Sequence, residues 1–223
     1  MKTVVVGSDL HFTAHSPYYI LKFIQFIASK KPDCIVINGD MYDMYSFSRY
    51  PRNVNLFTPE TEVRKSRSLA EKLFSDIKKA SPKSKIFLTR GNHSERLGKR
   101  ISEKLPELIG IFKFEELWLF DNVETIMDTR QTLTIDDAIY VHGWSTNLGD
   151  HAKYFLKNVF TGHSHRLGLY YHRLNNKTIF ECNSGHLANL NTKQLGYTPS
   201  KVTRWTAGFA YRDHLGYPQI IHL

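Results

Sequence analysis

Cysteine and long apolar runs are what this 223-residue chain has least of. Only Cys34 and Cys182 occur, and they lack the close C-x-x-C spacing of zinc or redox sites. We expect two buried, reduced thiols, with a disulfide between them as an open alternative. No apolar stretch approaches the roughly 20 residues that a membrane-spanning helix requires, and the apolar run at 4–6 is too short for a signal peptide. These absences predict a soluble, cytoplasmic protein.

Internal repeats and low-complexity tracts are also missing. With 41% hydrophobic and 13% aromatic residues, the chain can bury one substantial core but is short for two enzymatic domains. We therefore predict a single domain over residues 1–223. That length leaves no room for a large cap domain, so we expect an open cleft.

The excess positive charge of +9 lies in one segment. Residues 64–104 contain 13 lysines and arginines against 4 acidic residues, whereas the rest of the chain balances at 17 against 17. One interpretation is an electropositive surface for a phosphate-rich substrate such as a nucleotide or nucleic acid. The other is the solvated face of an amphipathic helix, and the sequence leaves both open.

Apolar runs alternate with segments of helical period in the first half, which indicates a β-α-β beginning. The pattern predicts strands at 3–7, 34–38 and 85–89, and helices at 18–29, 59–80 and 94–105. The second half is richer in strands. They are predicted at 138–141 and 159–161, in a hairpin of 167–174 and 178–182, and in an antiparallel pair of 205–211 and 218–222.

Five short polar motifs follow the predicted strands at their carboxyl ends. They are Asp-Leu-His at 9–11, Gly-Asp-Met-Tyr-Asp at 39–43, Gly-Asn-His at 91–93, His-Gly at 142–143 and Gly-His-Ser-His at 162–165. In open α/β sheets, ligands bind in the crevice outside the carboxyl ends of the strands. Aspartate, histidine and asparagine bind divalent ions and leave coordination positions for water and a phosphate oxygen. Each motif alone has low specificity, but all five in order predict a two-metal hydrolytic site.

With these motifs in this order, residues 9–165 resemble the calcineurin-like metallophosphoesterases. The resemblance implies an α/β fold in which a two-sheet β-sandwich is flanked by helices, an αββα arrangement. It also implies two divalent metal ions, with manganese favoured and iron, zinc, cobalt or nickel as alternatives. By the resemblance, one ion would bind Asp9, His11, Asp40 and His165. The other would bind Asp40, Asn92, His142 and His163, so Asp40 would bridge.

The resemblance gives His93 a role other than metal binding. It would contact a phosphoryl oxygen or protonate the leaving group, and Asp43 would orient it. An imidazolium near a leaving oxygen supplies acid catalysis and stabilises charge. The sequence departs from the family pattern at Ser94, which separates the histidine from Glu95. Residues 183–186 match another family turn only loosely, and we assign His186 no role.

The remaining histidines match no ligand position, and we expect them to be surface or structural residues: His15, His151, His172, His214 and His222.

The loop that follows Asp43 mixes aromatic and basic residues. Bases could stack on Tyr45, Phe47 or Tyr50 while Arg49 or Arg52 contacts phosphate. Arg96 is a further candidate phosphate contact. The alternative is that the aromatic residues pack this loop onto the body of the protein and Arg96 faces solvent.

These observations favour a metal-dependent phosphoesterase that acts on a nucleotide or nucleic acid. Cleavage of phosphodiesters by a nuclease is slightly favoured over nucleotidase action on monoesters. A non-catalytic scaffold that binds other proteins is a distant alternative, because the motifs retain all seven ligand positions and His93. The oligomeric state is left open.

Overall fold

The computed structural model describes residues 1–50, 56–108, 110–111, 113–195 and 204–223. Within these ranges lie four α-helices and eleven β-strands. In order they are β1 Val4–Gly7, α1 Pro17–Lys30, β2 Cys34–Asn38, α2 Pro59–Ala80, β3 Lys85–Thr89, α3 Arg96–Lys104, β4 Val123–Ile126, β5 Leu133–Ile135, β6 Ala138–Tyr140, α4 Asp150–Phe155, β7 Asn158–Thr161, β8 Leu167–Leu174, β9 Lys177–Ser184, β10 Gly208–Arg212 and β11 Pro218–His222.

The strands form two sheets. The first has the order β11-β10-β1-β2-β3-β4, and the second has the order β5-β6-β7-β9-β8. Strands β1, β2, β3 and β4 run parallel, as do β6, β7 and β9 in the second sheet. Their carboxyl ends therefore meet at common edges, and the loops that follow them can converge.

Side-chain alternation divides the strands between layers. Val4 and Val6 of β1 pack with Phe160 and Cys182 between the two sheets, whereas Val5 points to the opposite face, where α1 and α2 pack. The outer face of the second sheet packs against α4 through a separate cluster that includes Ala152. The layers are thus helices, sheet, sheet and helix, which confirms the predicted two-sheet sandwich flanked by helices.

Local sequence accounts for the helix starts. The Ser16 side chain accepts a hydrogen bond from the Tyr19 amide, and that of Thr58 does so from the Thr61 amide. A proline follows each cap at the first helical position. Both helices begin and end within a few residues of their predicted bounds.

Three elements were not predicted, namely β4, β5 and α4. Each has six residues or fewer. Segments this short do not complete a recognisable hydrophobic period, so neighbouring strands determine them rather than their own pattern. No helix in the described ranges is long and apolar enough to span a membrane. The single-domain boundary over 1–223 stays a prediction.

Candidate active site

All five polar motifs lie in loops that directly follow β1, β2, β3, β6 and β7. Because these strands are parallel within their sheets, the loops gather at one end of the sandwich. They bring together the seven side chains that the resemblance assigns to metal binding: Asp9, His11, Asp40, Asn92, His142, His163 and His165.

A first group of atoms belongs to Asp9, His11 and His165, and all three residues are buried. The Asp9 Oδ1 atom lies 2.9 Å from His165 Nε2 and 3.7 Å from His11 Nε2. The two imidazole Nε2 atoms are 3.1 Å apart. Two nitrogens and a carboxylate oxygen thus converge on one small volume.

A second group lies beside the first. His142 Nε2 is 3.1 Å from Asp40 Oδ2 and 4.0 Å from Asp9 Oδ1. Asp40 belongs to this group and also to a group with His11 and His93 whose ligand atoms lie within 4.8 Å of one another. Asp40 therefore lies beside ligands of both groups, and so does Asp9, which belongs to both. The bridging role of Asp40 stays a prediction.

Asn92 and His163 form the solvent side. Asn92 Oδ1 and His163 Nδ1 are 2.9 Å apart, and the His163 amide donates to Asp9 Oδ2 at 2.9 Å. Burial and the neighbouring His142 lower the pKa of His163 to about 4, which leaves its imidazole neutral near pH 7. A neutral imidazole is the form that binds a metal ion.

Backbone conformation at the site is unusual. Five of the seven side chains sit on residues with positive φ: Asp9 at 52°, His11 at 50°, Asp40 at 42°, His163 at 66° and His165 at 59°. Non-glycine residues rarely adopt this region, and each such residue costs on the order of 1–3 kcal/mol. Strain concentrated on these residues indicates a function that the surrounding structure is built to maintain.

The buried polar atoms of the ligand side chains are arranged to bind cations rather than to form hydrogen bonds with one another. Asp9 Oδ1 is buried 2.9 Å from His165 Nε2, and His142 Nε2 is buried 3.1 Å from Asp40 Oδ2. Neither contact has the geometry of a hydrogen bond, and neither atom makes one elsewhere among the described residues. Unpaired buried polar atoms are rare and call for an explanation such as an ion that the side chains coordinate. Mixed imidazole, carboxylate and amide donors suit manganese, iron, zinc and related divalent ions. The residues present therefore fit two ions.

Charge within the group is balanced by protons when no ion is bound. Burial lowers the pKa of His11, but contacts with Asp43 and Asp9 outweigh it and raise that pKa to about 10. Burial also lowers the pKa of His142, but the carboxylates of Asp40 and Asp9 outweigh this effect and raise that pKa to about 9. Burial favours a high pKa for Asp9, yet His165 and His142 hold it well below its usual value. A divalent ion must displace the imidazole protons.

Asp43 connects a metal-ligand histidine to His93. Its Oδ1 atom lies 3.2 Å from His11 Nδ1 and 2.9 Å from His93 Nδ1. Burial raises the pKa of Asp43, and its bonds to both histidines more than reverse that effect. A carboxylate that binds the far nitrogen of a ligand histidine fixes the tautomer and orientation of its ring. The contact with His93 was predicted, whereas the contact with His11 was not.

The Arg96 side chain is bonded to neighbouring residues of the site. Its Nη1 donates to the Asp43 carbonyl oxygen at 2.8 Å and to Asp43 Oδ1 at 3.3 Å. Its Nη2 lies 2.8 Å from His93 Nε2. Glu95, one residue beyond the position of the acid in the family pattern, pairs with Lys99 at 2.6 Å and accepts from the Thr129 hydroxyl at 2.5 Å.

Asn38, the last residue of β2, was missed by the sequence analysis. Its backbone oxygen lies 3.0 Å from His142 Nδ1, which fixes the ring of that ligand. Its side-chain amide donates to the Val141 and Phe160 carbonyl oxygens, both at 3.0 Å, in the second sheet. The available signal was a buried amide at the end of an otherwise apolar strand.

His151 and Glu181 form a buried pair behind His142. His151 Nδ1 is 2.9 Å from Glu181 Oε1, and His151 Nε2 accepts the amide hydrogens of Trp144 and Ser145 at 3.0 and 3.3 Å. The imidazole thus holds the loop that directly follows the ligand. The structural role expected of His151 agrees with this placement.

Two glycines give the ligands room. A Cβ atom at Gly39, where φ is +86°, would overlap the His142 ring, and a Cβ atom at Gly91 would overlap the Asp40 carboxylate. At Gly91 it is close packing, not a turn, that excludes a side chain.

A cleft of about 880 Å³ opens above the ligands. Of the predicted substrate contacts, Arg49 and Arg96 line it, Tyr45 is buried with 7% of its surface exposed and is not among the lining residues, and Arg52 lies outside the described residues. Side chains that the sequence analysis did not single out also line the cleft: Lys99, Arg100, Arg166 and Trp205. The Trp205 ring packs on His165 with centroids 4.0 Å apart.

The buried Glu62 explains the orientation of the substrate loop. Its carboxylate accepts the amide hydrogens of Tyr45 at 2.5 Å and Ser46 at 2.7 Å, which pins the start of the loop to α2. Phe47 packs on the core and also lines the cleft, as Arg49 and Tyr50 do. Both interpretations of the loop therefore apply.

Fold and site together define an α/β protein with a candidate two-metal centre at the carboxyl ends of its strands. The model of the calcineurin-like phosphoesterase family matches residues 2–178, and the chain belongs to that family. Members of this family depend on two metal ions.

Individual relatives are distant. Gene 54 protein of Mycobacterium phage D29 is 25% identical over 230 residues, which cover 93% of this chain and 87% of that protein. The solved structure of Yfce, a phosphoesterase from E. coli, is 16% identical with a TM-score of 0.44, covering 95% of this chain and 88% of that one. Vps29 of Chaetomium thermophilum is 11% identical with a TM-score of 0.45, covering 98% and 94%.

Proposed function

We propose that this protein is a binuclear-metal phosphoesterase that cleaves phosphodiester bonds in nucleic acid. The observation that carries the proposal is the convergence of seven ligand-type side chains, five of them on strained residues, beneath a basic cleft. When bound, two divalent ions would supply Lewis acidity and lower the pKa of water. The residues that would hold them are Asp9, His11, Asp40, Asn92, His142, His163 and His165.

Charge in the cleft supports a substrate with more than one phosphate. Arg49, Arg96, Lys99, Arg100 and Arg166 line it, and Tyr50 and Trp205 offer aromatic faces. A basic groove with interspersed aromatic residues suits single-stranded nucleic acid, because phosphates pair with the cations and bases stack on the rings.

Only part of the basic segment at 64–104 faces the cleft. Its α3 part borders the cleft, whereas Arg67, Lys78 and Lys79 of α2 line a different groove of about 660 Å³. On α2, Arg67 pairs with Glu71 at 2.8 Å and Lys72 pairs with Asp76 at 2.7 Å. Only the α3 part supports the phosphate-binding interpretation.

Hydrolysis of model esters tests the proposal. With manganese, the protein should hydrolyse bis-p-nitrophenyl phosphate faster than p-nitrophenyl phosphate, because the open cleft leaves room for both ester groups. Replacing His93 with asparagine should lower turnover and leave the metal content largely intact. Lack of turnover of either ester by an intact, metal-loaded protein would contradict the proposal. Faster turnover of the monoester would favour a nucleotidase instead.

A charge-matched pair of variants tests the substrate class. Alanine at Arg49, Lys99 and Arg100 should raise KM for a single-stranded oligonucleotide and lower its salt dependence by about 2 in the logarithmic slope, roughly 0.7 for each lost phosphate contact. KM for bis-p-nitrophenyl phosphate should change little. The control removes three lysines outside the cleft, Lys78, Lys79 and Lys83. Equal effects of the two triple variants would refute binding in the cleft.

Manganese as the preferred metal and a cytoplasmic location are part of this proposal. Cys34 and Cys182 are both unpaired and buried, which agrees with a reducing compartment.

A further inference from the structure

Two exposed aromatic side chains, Trp144 and Tyr154, lie outside the residues that line the cleft. Trp144 keeps 53% of its surface exposed and Tyr154 keeps 72%, yet their rings contact each other with centroids 5.2 Å apart. Single exposed apolar side chains are ordinary on a protein surface, whereas a contiguous exposed group typically marks a binding site. These two residues and the adjoining Phe155 are called the aromatic platform below.

The structure beneath the aromatic platform holds it in place. Phe155 packs into the cluster between α4 and the second sheet, and its ring contacts Trp144 at 5.8 Å and Tyr154 at 5.0 Å. The Trp144 ring also packs on that of His151 at 4.5 Å, and the Trp144 amide donates to His151 Nε2 at 3.0 Å. Rings that are already fixed lose little conformational entropy when a ligand binds to them.

The aromatic platform adjoins the cleft through one short loop. Trp144 lies two residues after the ligand His142 and two residues before Thr146, which lines the cleft. Because two residues of chain span at most about 7 Å, the Cα atoms of Trp144 and Thr146 are no further apart than that. Arg166, which also lines the cleft, donates from Nη1 to the Thr146 carbonyl oxygen at 3.3 Å. A polymer that lies in the cleft can therefore continue over this loop onto the platform.

Exposed charges beside the aromatic platform are positive. Asp150 is the only acidic residue of segment 143–157, and it is half-buried and accepts a hydroxyl hydrogen bond within its own loop at 2.6 Å. The two lysines of the segment, Lys153 and Lys157, are exposed. Lys177 is exposed too, and its Nζ lies 3.5 Å from the backbone oxygen of the residue that follows α4. Cations beside exposed rings suit single-stranded nucleic acid, whereas an apolar protein partner would not require them.

We propose that the aromatic platform binds the nucleotides that flank the scissile bond, with one base stacked on Trp144 and the neighbouring lysines on phosphates. The inference rests on the proposed function and extends it, because it makes a single-stranded polymer, rather than a mononucleotide, the preferred ligand. The platform takes no part in the chemical step. It should therefore change the affinity for long substrates and leave small ones unaffected.

Binding of a long and a short thymidine ligand tests the inference. The long ligand is an oligomer of about 12 nucleotides, within the roughly 4–16 that one such binding groove covers, and the short one is thymidine monophosphate, which has no flanking nucleotide. Calorimetric titrations use the manganese-loaded protein with the H93N replacement, so that neither ligand is consumed. We expect W144A to weaken binding of the oligomer by about 5- to 150-fold, the usual effect of losing one base stack. Binding of the monophosphate should change by less than about twofold.

Two other replacements of Trp144 separate base stacking from apolar contact. W144F keeps an aromatic face and should restore most of the affinity for the oligomer, whereas W144L keeps only apolar bulk and should bind as weakly as W144A. The matched control is Y217A. It removes an exposed tyrosine from the turn between β10 and β11, at the opposite end of the first sheet from the metal ligands, and should bind both ligands as the parent protein does.

Four results would overturn the inference. The first is equal affinity of W144A and Y217A for the oligomer, and the second is an equal loss for oligomer and monophosphate, which would show that Trp144 only supports the cleft through His151. The third is a W144L variant that binds like the parent protein. The fourth is a change from dimer to monomer on W144A in sedimentation, which would identify the aromatic platform as a contact between copies of the chain.

These titrations require no hydrolysis, which separates the inference from the proposed function. If the wild type hydrolyses no ester, the proposed function fails, and the oligomer affinities still decide whether the aromatic platform binds nucleic acid. If the wild type hydrolyses bis-p-nitrophenyl phosphate while W144A and Y217A bind the oligomer equally, the proposed function stands and the platform is refuted.

Discussion

Replacing His151 with alanine should weaken both the fold and the binding of one metal ion. The imidazole is completely buried, donates to Glu181 at 2.9 Å and accepts two backbone amide hydrogens from the loop after His142. Alanine would leave the buried carboxylate short of one donor, free the loop amides and open a cavity. Lost bonds to a charged partner and lost packing together cost about 2–4 kcal/mol.

That loss is measurable as a fall in Tm. A chain of this length loses roughly 2–4 °C for each kcal/mol, so we expect a fall of about 5–15 °C. The loop that carries His142 should also lose its fixed position. Removing a residue that orients a metal ligand typically costs about 10- to 100-fold in metal affinity. Only the ion held by His142 should be affected, so a manganese titration should show one weakened site and one unchanged site.

The assay combines thermal denaturation of the metal-free protein with calorimetric titration of manganese. The control H222A removes an exposed histidine on β11 and should match the wild type in both measurements. A variant with a lowered Tm but two unchanged metal affinities would show that His151 supports the fold alone. An unchanged Tm would refute the energetic argument itself.

Four further predictions concern the ligands and their supports. Manganese binding at pH 7 should release about two protons, because neighbouring carboxylates raise the pKa of His11 to about 10 and of His142 to about 9. Calorimetry in buffers of different ionisation enthalpy measures this release, and a value near zero would contradict the prediction. By the same linkage, the stability that protonated His11 and His142 give the metal-free protein should be lost as pH rises from about 7 towards 10, as denaturant titrations over that range can check. Replacing Gly91 with alanine should reduce metal content, since its Cβ would overlap Asp40; full metal occupancy would refute the packing argument. Replacing Asn38 with alanine should cost about 2–3 kcal/mol in unfolding free energy, because two buried carbonyl groups lose their donor, and a loss below about 0.5 kcal/mol would refute that account.

Much of the candidate site could be predicted because its information is local. Each motif follows an apolar run that reads as a strand, and parallel strands bring their carboxyl ends together whatever lies between them. The helix bounds were predictable for the same reason, since caps such as Thr58 act within one turn.

The orientation of side chains between motifs was not predictable. Arg96 lines the cleft, where it was expected to contact phosphate, but its bonds to His93 and to Asp43, which lies 53 residues away in the chain, were not predicted. Tyr45 was expected at the substrate, and its burial follows from a bond between its amide and Glu62 on a separate helix. Such contacts depend on how distant segments pack, and no periodicity or spacing within a segment encodes them.

The geometry of the site depends on how the two sheets meet. Asp9, His11 and Asp40 follow strands of the first sheet, whereas His142 and His165 follow strands of the second. A sliding of one sheet by 1 Å would therefore separate the ligand groups, and hydrophobic packing between the sheets is not directional enough to prevent it. Directional hydrogen bonds between the two sheets can prevent such sliding.

Asn38 supplies such bonds, because it belongs to β2 but donates to two carbonyl oxygens of the second sheet while its own carbonyl group accepts from His142. Asp43 acts in the same way within one sheet, since it joins the ligand His11 to His93 and Arg96. Asn38 and Asp43 are buried polar residues that were not predicted to bind metal, and they determine the positions of the predicted metal ligands. The strained backbone at those ligands can persist for this reason.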